Sequence, residues 1–182
     1  VAPSILITEE KIKQLEKKNH ITYAEEQRKA IMTALNNNIT IITGGPGTGK
    51  TTIIDGILKL YQQEKKLDNI GLLSEVALLA PTGRASKKLA EATNLKATTI
   101  HRYLKWNKET NEYAVNEHHK ANERLIIIDE VSMIDTLLMA ALLKALHNDV
   151  KIILVGDHNQ LPSVGPGNVL EDLINSDVFP FI

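Results

Sequence analysis

Cysteine is absent from this chain. That excludes a disulfide framework, a thiolate metal site and a cysteine nucleophile, and it suits a reducing compartment, with the cytoplasm as the expected location. No apolar run approaches the roughly 18 residues of a membrane span, so no membrane partner is expected, nor a secretory leader ahead of the first element. Neither sign of charge dominates: 21 Lys and Arg stand against 22 Asp and Glu, a formal net charge of −1. A basic coat over the whole surface is therefore excluded. One local strip remains, with Arg84, Lys87, Lys88, Lys96, Arg102, Lys105 and Lys108 in a single stretch. It reads either as a surface for a polyanion or as a solvated face. Repeats and low-complexity tracts are also missing. What is left is 182 residues at 43% hydrophobic, enough for one domain with a real core. The chain starts at Val1 and stops inside the apolar stretch Val178–Ile182, so both ends are expected to be cuts within a longer protein.

Taken in order, residues 8–19 predict a polar helix with Thr8 as its N-cap and Glu9 and Glu10 in the first turn. Thr22 and Glu25 form a capping-box pattern for a helix to about Asn36, with Ile31, Ala34 and Leu35 as its stripe and Gln27 on the same face. Four apolar runs follow at intervals: 39–43, 76–80, 125–129 and 151–156. They are continuous rather than alternating, which predicts strands buried on both faces in a parallel sheet flanked by helices. Between them, helices are predicted over about 50–65, from a Thr82 cap to about Glu91, over 100–104 from Thr99, and over 132–146. The last is apolar nearly all round and should be covered on more than one side. The segment 62–71 reads as a polar connection. Residues 104–117 read as a small β-hairpin carrying the single tryptophan, Trp106, opposite Tyr113 or its neighbours, or else as a surface loop with an aromatic pair. A final helix over 169–176 and a fifth strand from Val178 complete the prediction.

The stretch 39–52, Ile-Thr-Ile-Ile-Thr-Gly-Gly-Pro-Gly-Thr-Gly-Lys-Thr-Thr, joins the first strand to a helix through a glycine-rich turn. From Gly44 to Thr51 it fits G-x-x-x-x-G-K-[ST], the phosphate-binding loop. Glycines let successive N–H groups curl toward an anion, and the helix that follows adds the positive end of its dipole. Lys50 supplies a full charge for the β- and γ-phosphates, and the Thr51 hydroxyl is a hard oxygen ligand for Mg²⁺. Asp129-Glu130 ends the third apolar run. An acidic pair there is either an N-cap for the next helix or the second half of a nucleoside-triphosphatase site, with Asp129 toward Mg²⁺ and Glu130 as the base. Gly156-Asp157-x-x-Gln160 follows the fourth run in the same way, and Gln160 there can orient a water or touch the γ-phosphate. Gln27 is either a satisfied, half-buried amide or a reader of an adenine edge.

The set resembles a known family. Gln27, the loop from Gly44 to Thr51, Pro81-Thr82-Gly83-Arg84-Ala85, Thr99-Ile100-His101-Arg102, Asp129-Glu130-Val131-Ser132-Met133 and the run from Gly156 through Gln160 to Gly165 occur in that order. The chain is similar to the first RecA-like domain of a superfamily 1 DNA helicase, in detail to the RecD-like (exodeoxyribonuclease V alpha-chain-like) branch. The resemblance implies an α/β, RecA-like P-loop NTPase fold of strand order 5-1-4-3-2, with residues 1–21 as a helical lead-in, 22–182 as the motor domain and a β-hairpin pin at about 104–117. It implies ATP and Mg²⁺ as cofactors, held by Gln27, Gly45, Pro46, Gly47, Thr48, Gly49, Lys50, Thr51 and Thr52, with Thr51 and Asp129 as metal ligands. Lys50, Glu130 and Gln160 become the catalytic set. Pro81, Thr82, Gly83, Arg84, Thr99, His101, Arg102 and Trp106 become the residues that face DNA. The implied partners are single-stranded and duplex DNA, a second RecA-like domain of the same chain, and other repair or recombination proteins. The implied activity is ATP-driven 5′-to-3′ translocation and unwinding, with the 182 residues alone nearly inactive. Two other readings stay open: a small P-loop kinase, for which no lid arginine cluster is visible, and a nucleotide-gated interaction module.

Overall fold

The computed structural model describes residues 6–43 and 49–156. The elements are α1 (Glu9–Asn19), α2 (Glu25–Asn36), β1 (Ile39–Thr43), α3 (Lys50–Glu64), α4 (Asn69–Glu75), β2 (Val76–Ala80), α5 (Gly83–Thr93), β3 (Thr98–Thr99), α6 (Ile100–Tyr103), β4 (Trp106–Asn107), β5 (Glu112–Tyr113), β6 (Leu125–Ile128), a 3₁₀ turn (Val131–Met133), α7 (Thr136–Lys144) and β7 (Lys151–Gly156). The four apolar runs are the parallel strands β1, β2, β6 and β7, and with β3 they make one sheet of order β1-β7-β6-β2-β3. The strand before Gln160 therefore runs between the phosphate-loop strand and the Asp129 strand, as the family order implies. The predicted outer strand from Val178 and the helix over 169–176 lie outside the described residues.

Alternation along each strand feeds two cores. Ile42, Leu78, Ile127, Ile153 and Val155 pack with α1, α2, α3 and α5 on one face. Ile41, Leu79, Ile126, Ile128 and Leu154 pack with α6 and α7 on the other. Both faces are thus closed by apolar side chains, which is why the strands read as unbroken hydrophobic runs. The lead-in is held by the first core: Ile7, Ile12 and Leu15 are buried in it. Asn36 adds a reciprocal pair, its Oδ1 accepting from the Ile7 N–H at 2.7 Å and its Nδ2 donating to the Ile7 carbonyl at 2.9 Å. Lys151, at the start of β7, donates through Nζ to the carbonyls of Leu35 and Asn37, both at 2.8 Å, and so caps the end of α2 from the sheet.

Four sequence expectations need correction. Thr22 does not cap α2. Tyr23 is buried against α3 and its N–H donates to Glu16 Oε2, so the chain stays extended to Ala24, and the Gln27 side chain accepts the Ala24 N–H at 2.9 Å. The polar segment 62–71 contains the start of α4, whose cap is Asp68 accepting from the Gly71 N–H. Helix 132–146 is broken. Ile134 is fully buried in an extended conformation, and α7 starts afresh from an Asp135 cap that accepts the Leu138 N–H at 2.7 Å. One face of α7 is covered, through Leu138, Met139 and Leu142, while Leu137 is 70% exposed. Finally, β3 extends the sheet past β2, pairing Leu79 with Thr98 and Ala80 with Thr99. Two residues between helices are too short for a periodic pattern to show.

Candidate active site

Three strand ends meet at one edge of the sheet. β1 runs into the phosphate loop, β6 ends at Asp129-Glu130, and β7 ends at Gly156. Between them opens a cleft of about 270 Å³ lined by Lys50, Thr51, Asp129, Glu130 and Gly156, with Lys88 and Thr93 of α5 on the opposite wall. Lys50 and Thr51 are the first residues of α3, whose dipole and free N–H groups favour an anion there. Gly49 precedes them at φ 79°, in the left-handed region that glycine enters without strain. A side chain at Gly49 would also collide with the Gln27 amide nitrogen, which lies against its α-carbon. Gln27 is thus packed on the end of the phosphate loop, and its Oε1 is engaged at the start of α2. Gly45, Pro46, Gly47, Thr48 and Gln160 lie outside the described residues.

Asp129 is tied into the sheet by its N–H, which donates to the Leu79 carbonyl at 2.8 Å. Burial lifts its carboxyl above the usual carboxylate range, against the Glu130 N–H and the Lys50 charge, which both pull it down. Glu130 is the residue whose role the sequence left open. It takes the N-cap position of the 3₁₀ turn, yet its side chain makes no capping bond. Its backbone stands at φ 50°, its N–H donates to Asp129 Oδ1 at 2.8 Å, and the residue lines the cleft. Glu130 thus lines the cleft without capping the turn through its side chain. The donor set fits Mg²⁺, which favours one or two carboxylates, hydroxyl oxygens and substrate phosphates. Thr51 and Asp129 supply hard oxygens in the same cleft, and a buried carboxylate with a raised pKa is stabilised by a divalent cation.

An AAA domain family model matches residues 27–166. The chain belongs to the AAA domain family. The RecBCD enzyme subunit RecD of Mycolicibacterium smegmatis is 41% identical over 170 aligned residues, covering 82% of this chain and 30% of that protein. The ATP-dependent RecD2 DNA helicase of Deinococcus radiodurans is 38% identical over 144 residues, covering 79% of this chain and 19% of that protein. The chain therefore spans 30% or less of the length of these two relatives. The crystal structure of the Pif1 helicase from Candida albicans matches with a TM-score of 0.54 and 22% identity over 80% of this chain and 34% of that one, a likeness of fold. The chain is thus similar to RecD proteins over most of its own length, in line with the motif order.

The segments this AAA domain was expected to turn toward DNA also gather by strand order. Pro81 to Arg84 follows β2, Thr99 to Arg102 follows β3, and the two strands pair at Ala80 and Thr99. Thr82 and Thr99 cap α5 and α6, accepting from Ala85 and Arg102 at 3.1 Å each, while Gly83, Arg84, His101 and Arg102 are exposed. The hairpin forms as predicted, with Trp106 opposite Tyr113. His101 sits edge-on to Trp106, ring centroids 5.3 Å apart, and 6.4 Å from Tyr113. The basic strip does not stay together. Lys88 turns to the nucleotide cleft, whereas Lys96, Arg102 and Lys105 line a different groove. Lys88 was legible only as a charge on a helix, because its position in the cleft depends on how α5 packs against α3.

Proposed function

We propose that this AAA domain is the ATP-hydrolysing half of a DNA-translocating, duplex-unwinding motor. The observation that carries the reading is one cleft walled by Lys50, Thr51, Asp129 and Glu130, built from separate strand ends. ATP places its phosphates at the start of α3, where Lys50 balances charge on the β- and γ-oxygens. Thr51 and Asp129 would hold Mg²⁺, which would supply positive charge beside the transferring phosphoryl group. Glu130 takes a proton from the attacking water while that oxygen bonds to the γ-phosphorus and the bridging oxygen leaves with ADP. Gln160 is assigned to γ-phosphate sensing and Gln27 to adenine recognition on the resemblance.

Single-stranded DNA is placed over Pro81, Thr82, Gly83, Arg84, Thr99, His101, Arg102 and Trp106. Support comes from the adjacency of β2, β3 and β6: the strand that carries Asp129 pairs with β2, whose end leads into Pro81–Arg84. Movement from 5′ to 3′ and a role in repair or recombination follow from the family. The site is completed by a second RecA-like domain that supplies arginines to the transition state, consistent with relatives more than three times the length of this chain.

The test uses the full-length native protein. ATPase activity stimulated many-fold by single-stranded DNA, together with unwinding of a tailed duplex, is the expected result. Nucleotide binding without any DNA-stimulated turnover favours the interaction-module reading, and phosphoryl transfer to a small acceptor favours the kinase.

A further inference from the structure

A second groove, of about 730 Å³, shares no lining residue with the nucleotide cleft. It lies at the base of the hairpin, beside edge strand β3. Lys96, Arg102, Lys105 and Lys120 line it, against the single carboxylate of Glu123. In a chain of net charge −1, that local excess of positive charge is a marked departure. None of the four cations is held in an ion pair among the described residues. The groove is also lined by Thr98, whose hydroxyl is buried without a hydrogen-bond partner, and by Tyr103, whose hydroxyl faces Glu123. A buried hydroxyl such as that of Thr98 costs free energy until an acceptor reaches it.

Cations with a hydroxyl donor in a narrow groove recognise phosphodiester oxygens. The volume falls within the range of pockets for small ligands, roughly 300–1,000 Å³, which suits a stretch of single strand rather than an enclosed duplex. The groove is also continuous with the face proposed for DNA. Arg102 belongs to both, and Lys105 immediately precedes Trp106 of the hairpin. The aromatic group His101, Trp106 and Tyr113 lines none of it. A strand parted at the hairpin meets Arg102 and Lys105 first, and then the groove.

We propose that this groove holds the phosphodiester backbone of the strand displaced at the β4–β5 hairpin. The inference rests on the motor reading above. Its site adjoins the track of the loading strand at Arg102 and extends from it through Lys96, Lys105 and Lys120.

The experiment compares the full-length protein with its Lys96→Ala/Lys120→Ala variant, since neither lysine makes a hydrogen bond or ion pair among the described residues. Fluorescence anisotropy is read over a salt series on three DNAs: a single strand, a duplex with only the loading-strand tail, and a fork with both tails. Fork affinity should fall about tenfold, and its salt slope should shrink by about 1–2, as for the loss of two phosphate contacts. Affinity for the other two DNAs and the DNA-stimulated ATPase should stay within about twofold. Unchanged fork affinity would make the groove a solvated face and overturn the proposal. An equal loss on the single-tailed duplex would assign the groove to the duplex, and an equal loss on the single strand to the loading track; both overturn it. If the double variant fails to fold, Thr98→Val serves instead, with a smaller loss expected on the fork alone and an unchanged fork overturning the idea. Absence of DNA-stimulated ATPase in the unaltered protein counts against the motor reading itself, a result separable from all of these.

Discussion

Glu130 occupies a backbone conformation that costs a residue with a β-carbon about 1–2 kcal/mol. Among the described residues it is the one non-glycine residue at positive φ that lines the cleft. The surrounding sheet holds it there, with its N–H on Asp129. Glu130→Gln preserves shape and that hydrogen bond but removes the base. In the full-length protein, ATP affinity should be retained while turnover falls by two orders of magnitude or more. Turnover unchanged in a steady-state assay would remove Glu130 from the proton transfer.

Asp129 makes a pH-dependent prediction. Burial raises its pKa in the folded chain, so the stability it contributes is fully present below the unfolded value of about 3.8 and is lost as pH rises through the folded value. At neutral pH the burial of this carboxyl therefore destabilises the ligand-free protein. Asp129→Asn should melt higher than the parent at pH 7 without nucleotide or Mg²⁺, with the gap narrowing toward pH 4. A lower melting temperature at pH 7 would show that Lys50 and the Glu130 N–H outweigh the burial. The gain should be accompanied by weaker Mg²⁺–nucleotide binding.

Five helices in this chain start where a side-chain oxygen caps them. Thr8, Asp68, Thr82, Thr99 and Asp135 all accept from an N–H three residues ahead. Thr8, Thr82 and Thr99 were legible because each precedes a single clear helix. Asp135 was hidden within a longer apolar run that also offers Ser132. The decision between them came from Ile134, whose burial on the second core forces an extended residue into the run. Asp135→Ala should cost about 0.5–2 kcal/mol in urea unfolding, with the m-value unchanged. A neutral result would mean that packing of Leu138, Met139 and Leu142 alone sets the start of α7.

The hairpin is an element with no core of its own. It is two residues per strand, pinned by Trp106 against Tyr113 and by the His101 ring. Two-stranded ribbons of that size are not stable alone, so its place depends on α6. Replacing residues 106–113 with a short glycine link in the full-length protein should abolish unwinding of a tailed duplex while keeping DNA-stimulated ATPase. Unwinding at the parental rate would sink the pin reading.

At the scale of the whole molecule, the proposed function makes the cleft one side of a site. An arginine contributed across a nucleotide by a second domain is worth roughly 10³–10⁵ in rate. The 182 residues alone should therefore bind ATP weakly and turn it over at least about a thousandfold more slowly than the full-length protein with DNA. Comparable turnover in the two, measured by phosphate release, would show that the described cleft is complete by itself.

Local chemistry made much of this legible. A glycine-rich turn between a β-branched run and a helix specifies a phosphate loop, and continuous apolar runs specify strands closed on both faces, because those patterns act over neighbours in the chain. Lys50, Thr51, Asp129 and Glu130 became candidates with them. Their meeting in one cleft did not. It follows from β7 lying between β1 and β6, an order that no local pattern encodes. The same is true of Lys151 reaching the end of α2, and of the basic stretch 84–108, which reads as one strip along the chain. Helix α5 carries Lys88 to the nucleotide while the turn through β3 and α6 carries Lys96, Arg102 and Lys105 to another groove. Charge and periodicity are properties of sequence neighbours; which charges face one ligand is settled only when distant segments pack.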